Sequence, residues 1–362
     1  IAVKPHAFIE PVPPKDGAAA DALLYYGGDE YRGPTQISLE AAEFMHQRGL
    51  PYQINIESDY HPMTPAEFRR LRELGAEVSA YYHLYPDDGY AMTEEHYRFQ
   101  SDRFFERFGY RPVATVNHCL RWKGWAEPAR WMARCGGRAD NSFSGKSVPN
   151  DCHFRNSASF AFGFGTSYPF YFRDDWRGAN ARIDFMEQPI IGYELGHRGS
   201  TSILRDTETT AFEELHLALG LAIRGRLVMN LFYHPAYIAR YPRCRVAIDE
   251  ILRYIEYRKA AVVHMNNRMV AEWWDARSAS TAEPEAMTAE GAVYRCRCAA
   301  SRGMVLRVGL PDGCGVETRG PAAAPAKLVN EFGRTWALVV VPRGDCTLEL
   351  RFAKAATSPG GP

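Results

Sequence analysis

Asp21-Ala22-Leu23-Leu24-Tyr25-Tyr26-Gly27-Gly28-Asp29-Glu30 is a short apolar run closed by two glycines and followed at once by two carboxylates. It reads as a buried strand that delivers Asp29 and Glu30 at its carboxyl end. Ile37 to Arg48 follows at helical spacing and Pro51 to Glu57 reads as a strand, so the stretch opens a β-α-β chain.

The rhythm continues downstream. Thr64-Pro65-Ala66-Glu67 is a capping box with proline at the first helical position, opening a helix that runs to Gly75. Ala76 to Tyr82 is the next strand, Thr93 to Phe108 a helix closed by Gly109, Val113 to Val116 a strand, and Trp125 to Cys135 a helix closed by Gly136-Gly137. Asn141 to Pro169 interrupts with Ser, Asn, Gly and Phe and no apolar period, which predicts an ordered loop lying over a site. Ile183 to Ile191 resumes as a strand, Thr207 to Arg224 is an amphipathic helix, Arg226 to Tyr233 a buried strand and Val246 to Lys259 a helix. Alternating strands and helices with short connections predict a parallel sheet, either open and doubly wound or closed toward a barrel.

The texture changes after Trp274. Residues 276–287 read as a linker, and short period-two runs in 288–353 predict a small β-sandwich-like antiparallel domain. Residues 1–20, with Pro11, Pro13 and Pro14, read as a lead-in, 21–275 as the β/α domain, and 354–362 as a disordered tail.

Composition narrows the function. Lys plus Arg and Asp plus Glu number 43 each, so no net field recruits nucleic acid or an anionic membrane, and a neutral or locally recognised substrate is expected. No run of about twenty apolar residues predicts a transmembrane segment. The chain begins Ile1-Ala2-Val3-Lys4 without Met, so a processed protein, or part of a longer chain with further domains, is expected. The eight cysteines form no CxxC pair, and four of them, Cys296, Cys298, Cys314 and Cys346, fall near the C-terminus, where one or two disulfides would suit an oxidising compartment and free buried thiols a reducing one.

The candidate chemistry sits at predicted strand ends. Asp29 and Glu30 close the first strand; Tyr82-His83-Leu84 closes the third, with Asp87 four residues on; Asn117-His118-Cys119 follows the fourth, ahead of Trp122; Asp140 follows the next helix; and Tyr233-His234-Pro235 ends the most apolar strand. Carboxylates and imidazoles delivered from successive carboxyl ends can converge on one point, as ligands of a cation or as proton donors and acceptors. His61, His96, His216 and His264 have positions that packing or surface roles explain. Phe162-Gly163-Phe164-Gly165-Thr166 lacks the third glycine and the lysine of a phosphate cradle.

The order of these motifs resembles the polysaccharide deacetylase superfamily, the NodB-homology fold, in its divergent branches. Asp29-Glu30 with Arg32-Gly33-Pro34-Thr35 looks like the family's first motif, Leu74 to Val78 leading into His83 its second, and Asn230-Leu231-Phe232-Tyr233-His234 its last. The resemblance covers roughly Asp21 to Trp274 and implies a distorted (β/α) barrel followed by the small antiparallel β domain. It also implies a divalent metal, zinc by preference, and a glycan substrate. What the resemblance implies makes His234 catalytic, Asp29 a catalytic base or a ligand, and Glu30 and His83 metal ligands, with His118 or Asp87 as the remaining ligand. Asp87, Asp140, Trp122 and Glu187 are then supporting or substrate-binding residues. Glu30 stands where the family has a second Asp, and Asp87 where it has a second metal His. An envelope, periplasmic or secreted location is favoured over the cytoplasm. The leading expectation is thus a metal-dependent carbohydrate N-deacetylase. A catalytically silent glycan-binding or scaffold module of a larger envelope-polysaccharide protein is the alternative. A metal-free glycosidase using Asp29 and Glu187 would require those carboxyls within roughly 5 to 10 Å.

Overall fold

A computed structural model describes residues 7–30, 33–85, 87, 89–144, 165–175, 177–194, 208–320, 326–331 and 333–354, with the backbone alone for 208–214. The chain divides into two compact units, one of residues 22–260 and 264–271, the other of residues 1–21, 261–263 and 272–362.

The larger unit begins with β1 (Ala22–Glu30), whose nine residues are all buried. It continues through α1 (Thr35–His46), β2 (Tyr52–Glu57), α2 (Pro65–Glu73), β3 (Glu77–Tyr82), α3 (Glu94–Phe108), β4 (Ala114–Asn117), α4 (Glu127–Arg134) and β5 (Ala139–Asp140). Then come β6 (Phe170–Arg173), β7 (Arg182–Glu187), β8 (Ile190–Tyr193), α5 (Glu208–Gly225), β9 (Val228–Phe232), α6 (Pro235–Arg240) and α7 (Pro242–Tyr257). The strands lie in the order β8-β9-β1-β2-β3-β4-β5-β7-β6. Every neighbouring pair on this path is parallel except β7 with β6. Ile190 N–H donates to Phe143 O at 2.7 Å, which joins the strand at one end of the path to the segment that leaves β5. The sheet is therefore curled into a distorted barrel, as expected from the alternation of strands and helices.

Local chemistry explains the boundaries. Thr64 accepts from Glu67 N–H while Glu67 accepts from Thr64 N–H, the reciprocal capping box read from the sequence. Gly109 ends α3 at a φ of 79°, a left-handed conformation that glycine adopts without the Cβ penalty. Gly28 serves close approach: a Cβ there would lie 1.6 Å from Tyr233 O, so only glycine lets β1 run against the end of β9.

Two differences from the sequence reading stand out, together with one helix that it did not name. The run read as one strand over Ile183 to Ile191 is two, β7 and β8, separated at Gln188-Pro189. The aromatic stretch Phe170–Arg173, at the edge of the predicted loop, is a strand antiparallel to β7. His234-Pro235 opens the short helix α6, because proline is well suited to a first helical turn. The remainder of the predicted loop, residues 145–164, lies outside the described residues.

The smaller unit holds two four-stranded antiparallel sheets. One contains Ala7–Ile9, Met304–Gly309, Arg334–Val341 and Lys327–Glu331; the other contains Thr281–Met287, Gly291–Cys298, Gly344–Lys354 and Cys314–Arg319. Two predicted boundaries are corrected here. The lead-in 1–20 supplies a strand of this unit, and Trp273 Nε1 and Arg277 Nε donate to Pro11 O and Glu10 O at 2.8 and 2.9 Å. The linker 276–287 instead finishes the helix Asn267–Ser278 and forms the strand Thr281–Met287, whose exposed face makes its sequence read as polar. Cys296 and Cys346 are partners in register, yet among the described residues no disulfide joins them or any other cysteines. Among the described residues no helix is long and apolar enough to cross a membrane. The predicted tail lies outside the described residues from 355 onward.

Candidate active site

Asp29 sits one residue from the end of β1 and is almost wholly buried, 5% exposed. Strand pairing holds its row with Asn55 of β2 and Ser79 of β3. Two residues beyond Ser79, the Tyr81 hydroxyl bonds the Asp29 carboxylate, and burial together with that charge pushes the phenol well above its usual range. Tyr81, Val116, Tyr193 and Phe232 form an apolar floor on the same side.

His234, at the end of β9, points Nε2 at Asp29 Oδ2 across 3.2 Å. Its Nδ1 bonds Glu194 Oε1, which also accepts from His234 N–H at 3.1 Å. Burial by itself would strip charge from this imidazole, but the two carboxylates outweigh it and hold the ring's pKa well above its ordinary value. His234 thus has a carboxyl group at each ring nitrogen, and both favour its charged form. Burial raises Glu194 as well, and the His234 charge opposes that rise.

The second half of the site is a facing imidazole pair. His83 follows β3 and is fully buried, and its Nδ1 lies 2.9 Å from Nδ1 of His118. Gln100 fixes the His83 backbone by accepting from its N–H at 2.7 Å and donating to its carbonyl at 2.9 Å. Burial drives the His118 pKa down to about 4, against the pull of Asp29, so this ring is neutral at physiological pH. Cys119 and Leu120, which follow, have φ of 53° and 54°, and Glu194 has 47°. Such left-handed conformations cost a residue with a Cβ about 1–2 kcal/mol, and they gather here at the strand ends that build the site.

Two imidazole nitrogens and a carboxylate are donor types that zinc accepts, and a neutral His118 keeps a lone pair for it. Nitrogens sharing one zinc would stand about 3.4 Å apart, given bonds of about 2.0–2.1 Å in a tetrahedral shell. The 2.9 Å pair is a hydrogen bond that a small ring movement would open. Among the described residues, no three His, Cys, Asp or Glu side chains are drawn together closely enough to hold an ion. The donor chemistry fits a metal, with His83 and His118 already together.

The other expected site residues fall elsewhere. Glu30 accepts from Ala236 N–H at 3.2 Å, at the start of α6; burial raises its carboxyl, with the nearby His234 opposing the rise and Asp29 adding to it. Gly33 makes room for it, since a Cβ there would lie 2.4 Å from Glu30 Oε1. Asp87 is an exposed loop carboxylate. Trp122 stacks on Phe172, ring centroids 4.9 Å apart and 7° from parallel. Asp140 and Glu187 are register partners on β5 and β7, fully buried, and pair with each other. Their row runs through Thr115, whose hydroxyl donates to Met132 Sδ of α4 at 3.5 Å, so it lies under the helices. Glu187 is thus not brought to Asp29, nor Asp140 to a site histidine.

That buried carboxyl pair carries a pH prediction. Burial pushes Asp140 up to about 7 and Glu187 well above its usual range, and the two compete for negative charge. A carboxyl whose folded pKa is raised binds more protons folded than unfolded, so stability falls as pH rises from the ordinary carboxyl range toward 7. Between about pH 4.5 and 7.5 the loss should be on the order of 1–4 kcal/mol. Asp140→Asn, which supplies a permanent donor to Glu187, should flatten the dependence in a thermal-melt series. An unchanged slope would contradict a shared proton.

The four histidines set aside on sequence have local partners. His61 Nδ1 accepts from Met63 N–H, His96 Nδ1 from Ala91 N–H, His216 pairs with Glu250, and His264 bonds the Tyr26 hydroxyl. Glu194, bonded to His234, is the candidate-site residue that sequence reasoning missed. It follows the apolar run Ile190–Tyr193 as Asp29 follows its own, a signal hidden when that strand is ended at Ile191.

Comparison with solved structures gives the fold a precedent. A protein from Mycobacterium smegmatis described as a polysaccharide deacetylase superposes with a TM-score of 0.51 at 12% identity, covering 75% of this chain and 96% of that one. A Pseudomonas aeruginosa PAO1 protein with the same description gives 0.47 at 13% identity, covering 70% and 91%. Puue allantoinase gives 0.47 at 14% identity, covering 71% and 91%. No family model and no curated protein matches the sequence. The larger unit has the polysaccharide-deacetylase, or NodB-homology, fold at low sequence identity.

Proposed function

We propose that the chain is a metal-dependent hydrolase that removes N-acetyl groups from a polysaccharide or amino sugar. The observation that carries this reading is the meeting of two arrays at the carboxyl end of one curled sheet: Asp29–His234–Glu194 and the facing His83–His118 pair. Hydrolysis of an amide needs a polarised carbonyl, a deprotonated water and a proton for the leaving nitrogen. His83 and His118 would hold a divalent cation, zinc by donor type. When bound, such an ion supplies polarisation of the acyl oxygen and a more acidic water. In this reading Asp29 would complete the ligand set, once drawn toward the histidine pair, or take the water's proton. His234 carries the proton that the leaving nitrogen requires, at Nε2, and Glu194 keeps the ring oriented and charged. Tyr81, bonded to Asp29, helps to fix the carboxylate.

Metal content tests the ligand assignment. Protein purified without chelator and supplied with zinc should carry about one ion per chain, and His83→Ala should lose it. Zinc retained by His83→Ala would overturn the assignment. A second reading, a glycan-binding module without turnover, is favoured by the lack of a third gathered donor among the described residues. It predicts glycan binding with no zinc taken up by either protein.

A further inference from the structure

The smaller unit gathers three cysteines at one end of a strand pair. Cys296 and Cys298 lie on the strand Gly291–Cys298, and Cys346 lies on its neighbour Gly344–Lys354. These are the two inner strands of their four-stranded sheet. Cys296 stands directly opposite Cys346, and Cys298 opposite Gly344. Cys296 and Cys298 are buried, whereas Cys346 is half-buried.

The register selects one pair. Residues directly opposite in an antiparallel ladder share a face, with Cα atoms about 4.5–5.5 Å apart. That spacing falls within the roughly 4.4–6.8 Å over which a disulfide closes without backbone movement. A diagonal neighbour such as Cys298 is about 7–8 Å away, too far to compete. Cys314 is paired with Lys354 at the opposite end of the Gly344–Lys354 strand, out of reach of Cys346. The side chains of the selected pair already meet, with the Cys296 thiol donating to Cys346 Sγ.

We propose that Cys296 and Cys346 are a site of oxidative modification, a dithiol that closes to a cross-strand disulfide when a low-molecular-weight disulfide serves as oxidant. The closure is two exchanges. Cys346, the less buried of the two, loses its proton to solvent and attacks the small disulfide, whose S–S bond breaks as the mixed disulfide forms. The departing thiolate takes up a proton. Cys296 then loses its own proton and attacks Cys346 Sγ, displacing the second small thiolate, which is protonated in turn. The cysteine pair gives up two electrons and two protons, and the oxidant becomes two thiols. Burial pushes the Cys296 thiol up to about 12, while the bond from Cys296 opposes the rise at Cys346, which fits Cys346 as first nucleophile.

The bond would close a long loop. Between the two cysteines lie the strands Met304–Gly309, Cys314–Arg319, Lys327–Glu331 and Arg334–Val341, which contribute to both sheets of the smaller unit. A crosslink restricts that whole stretch when the chain unfolds, so oxidation should stabilise this unit. The site is independent of the hydrolase reading, since it lies in the other unit from Asp29 and His234.

The test incubates full-length reduced protein under native conditions with oxidised glutathione. Intact mass should fall by two hydrogens, and a peptide map should join Cys296 to Cys346. A thermal transition should rise by on the order of ten degrees and return when dithiothreitol is added. Cys346→Ser should show neither change, and Cys298→Ser should show both. The map of the parent protein decides the pairing even where a variant fails to fold. A map joining Cys298 to Cys346, or cysteines that stay free or stop at glutathione adducts, would overturn the assignment.

Discussion

His234→Ala should lower acetate release by about 10²–10⁴-fold, the range expected when a positioned proton donor is removed, while zinc content stays near that of the parent and the melting point falls, because the buried Asp29 and Glu194 carboxyls lose the imidazole between them. The expectation follows from the bonding of the ring. Its Nδ1 is held by a buried carboxylate, its Nε2 faces Asp29, and the imidazole is kept charged by both, so alanine removes the one cation of the array. The deficit should appear in kcat more than in KM, because proton delivery matters only once the carbon–nitrogen bond begins to break. Glu194→Gln should do less, leaving the ring in place while removing a charge that keeps it protonated. Its signature should be a pH–rate profile displaced toward acid for the limb reporting His234. Undiminished turnover in His234→Ala would remove this residue from the chemistry.

Gly28→Ala should be the most damaging single-atom change in the larger unit. A methyl group at residue 28 would sit 1.6 Å from Tyr233 O, a backbone atom that also accepts from the Tyr52 hydroxyl and cannot step aside alone. Relief requires β1 and β9 to separate, and these strands carry Asp29 and lead to His234. The cost should be about 3 kcal/mol or more, at the upper end for a change that overpacks a closed core. A thermal melt checks it: the variant should lose ten degrees or more, on the order of what that energy implies, and bind no glycan. A midpoint within about two degrees of the parent would show that the two backbones do not meet as described.

Much of the larger unit was legible because its signals are local. The apolar run into Gly27-Gly28, the capping box at Thr64 and the glycine closing α3 each announce an element from a few residues. The strand-end rule then brings Asp29, His83, His118 and His234 together. Register was not legible. Asp140 does close a strand, but a shift of one residue sends a side chain to the opposite face, and the pairing Thr115–Asp140–Glu187 puts it under α4. Glu194 was hidden by a strand boundary placed too early, and Glu30 by the assumption that adjacent carboxylates share a role. In the smaller unit, residues 1–20 looked like a lead-in because three prolines outweighed the short strand Ala7–Ile9. That strand is defined by its partner Met304–Gly309, far away in sequence.

Acetate release is the most direct test of the central claim, that Asp29, His234 and the histidine pair form a hydrolytic site for N-acetylated glycans. The zinc-supplied protein would be incubated with N-acetylated oligosaccharides it binds, beside Asp29→Asn. The account predicts acetate from the parent protein and none above background from Asp29→Asn. Binding without acetate release from any bound oligosaccharide would contradict it and leave a glycan-binding module on a deacetylase fold.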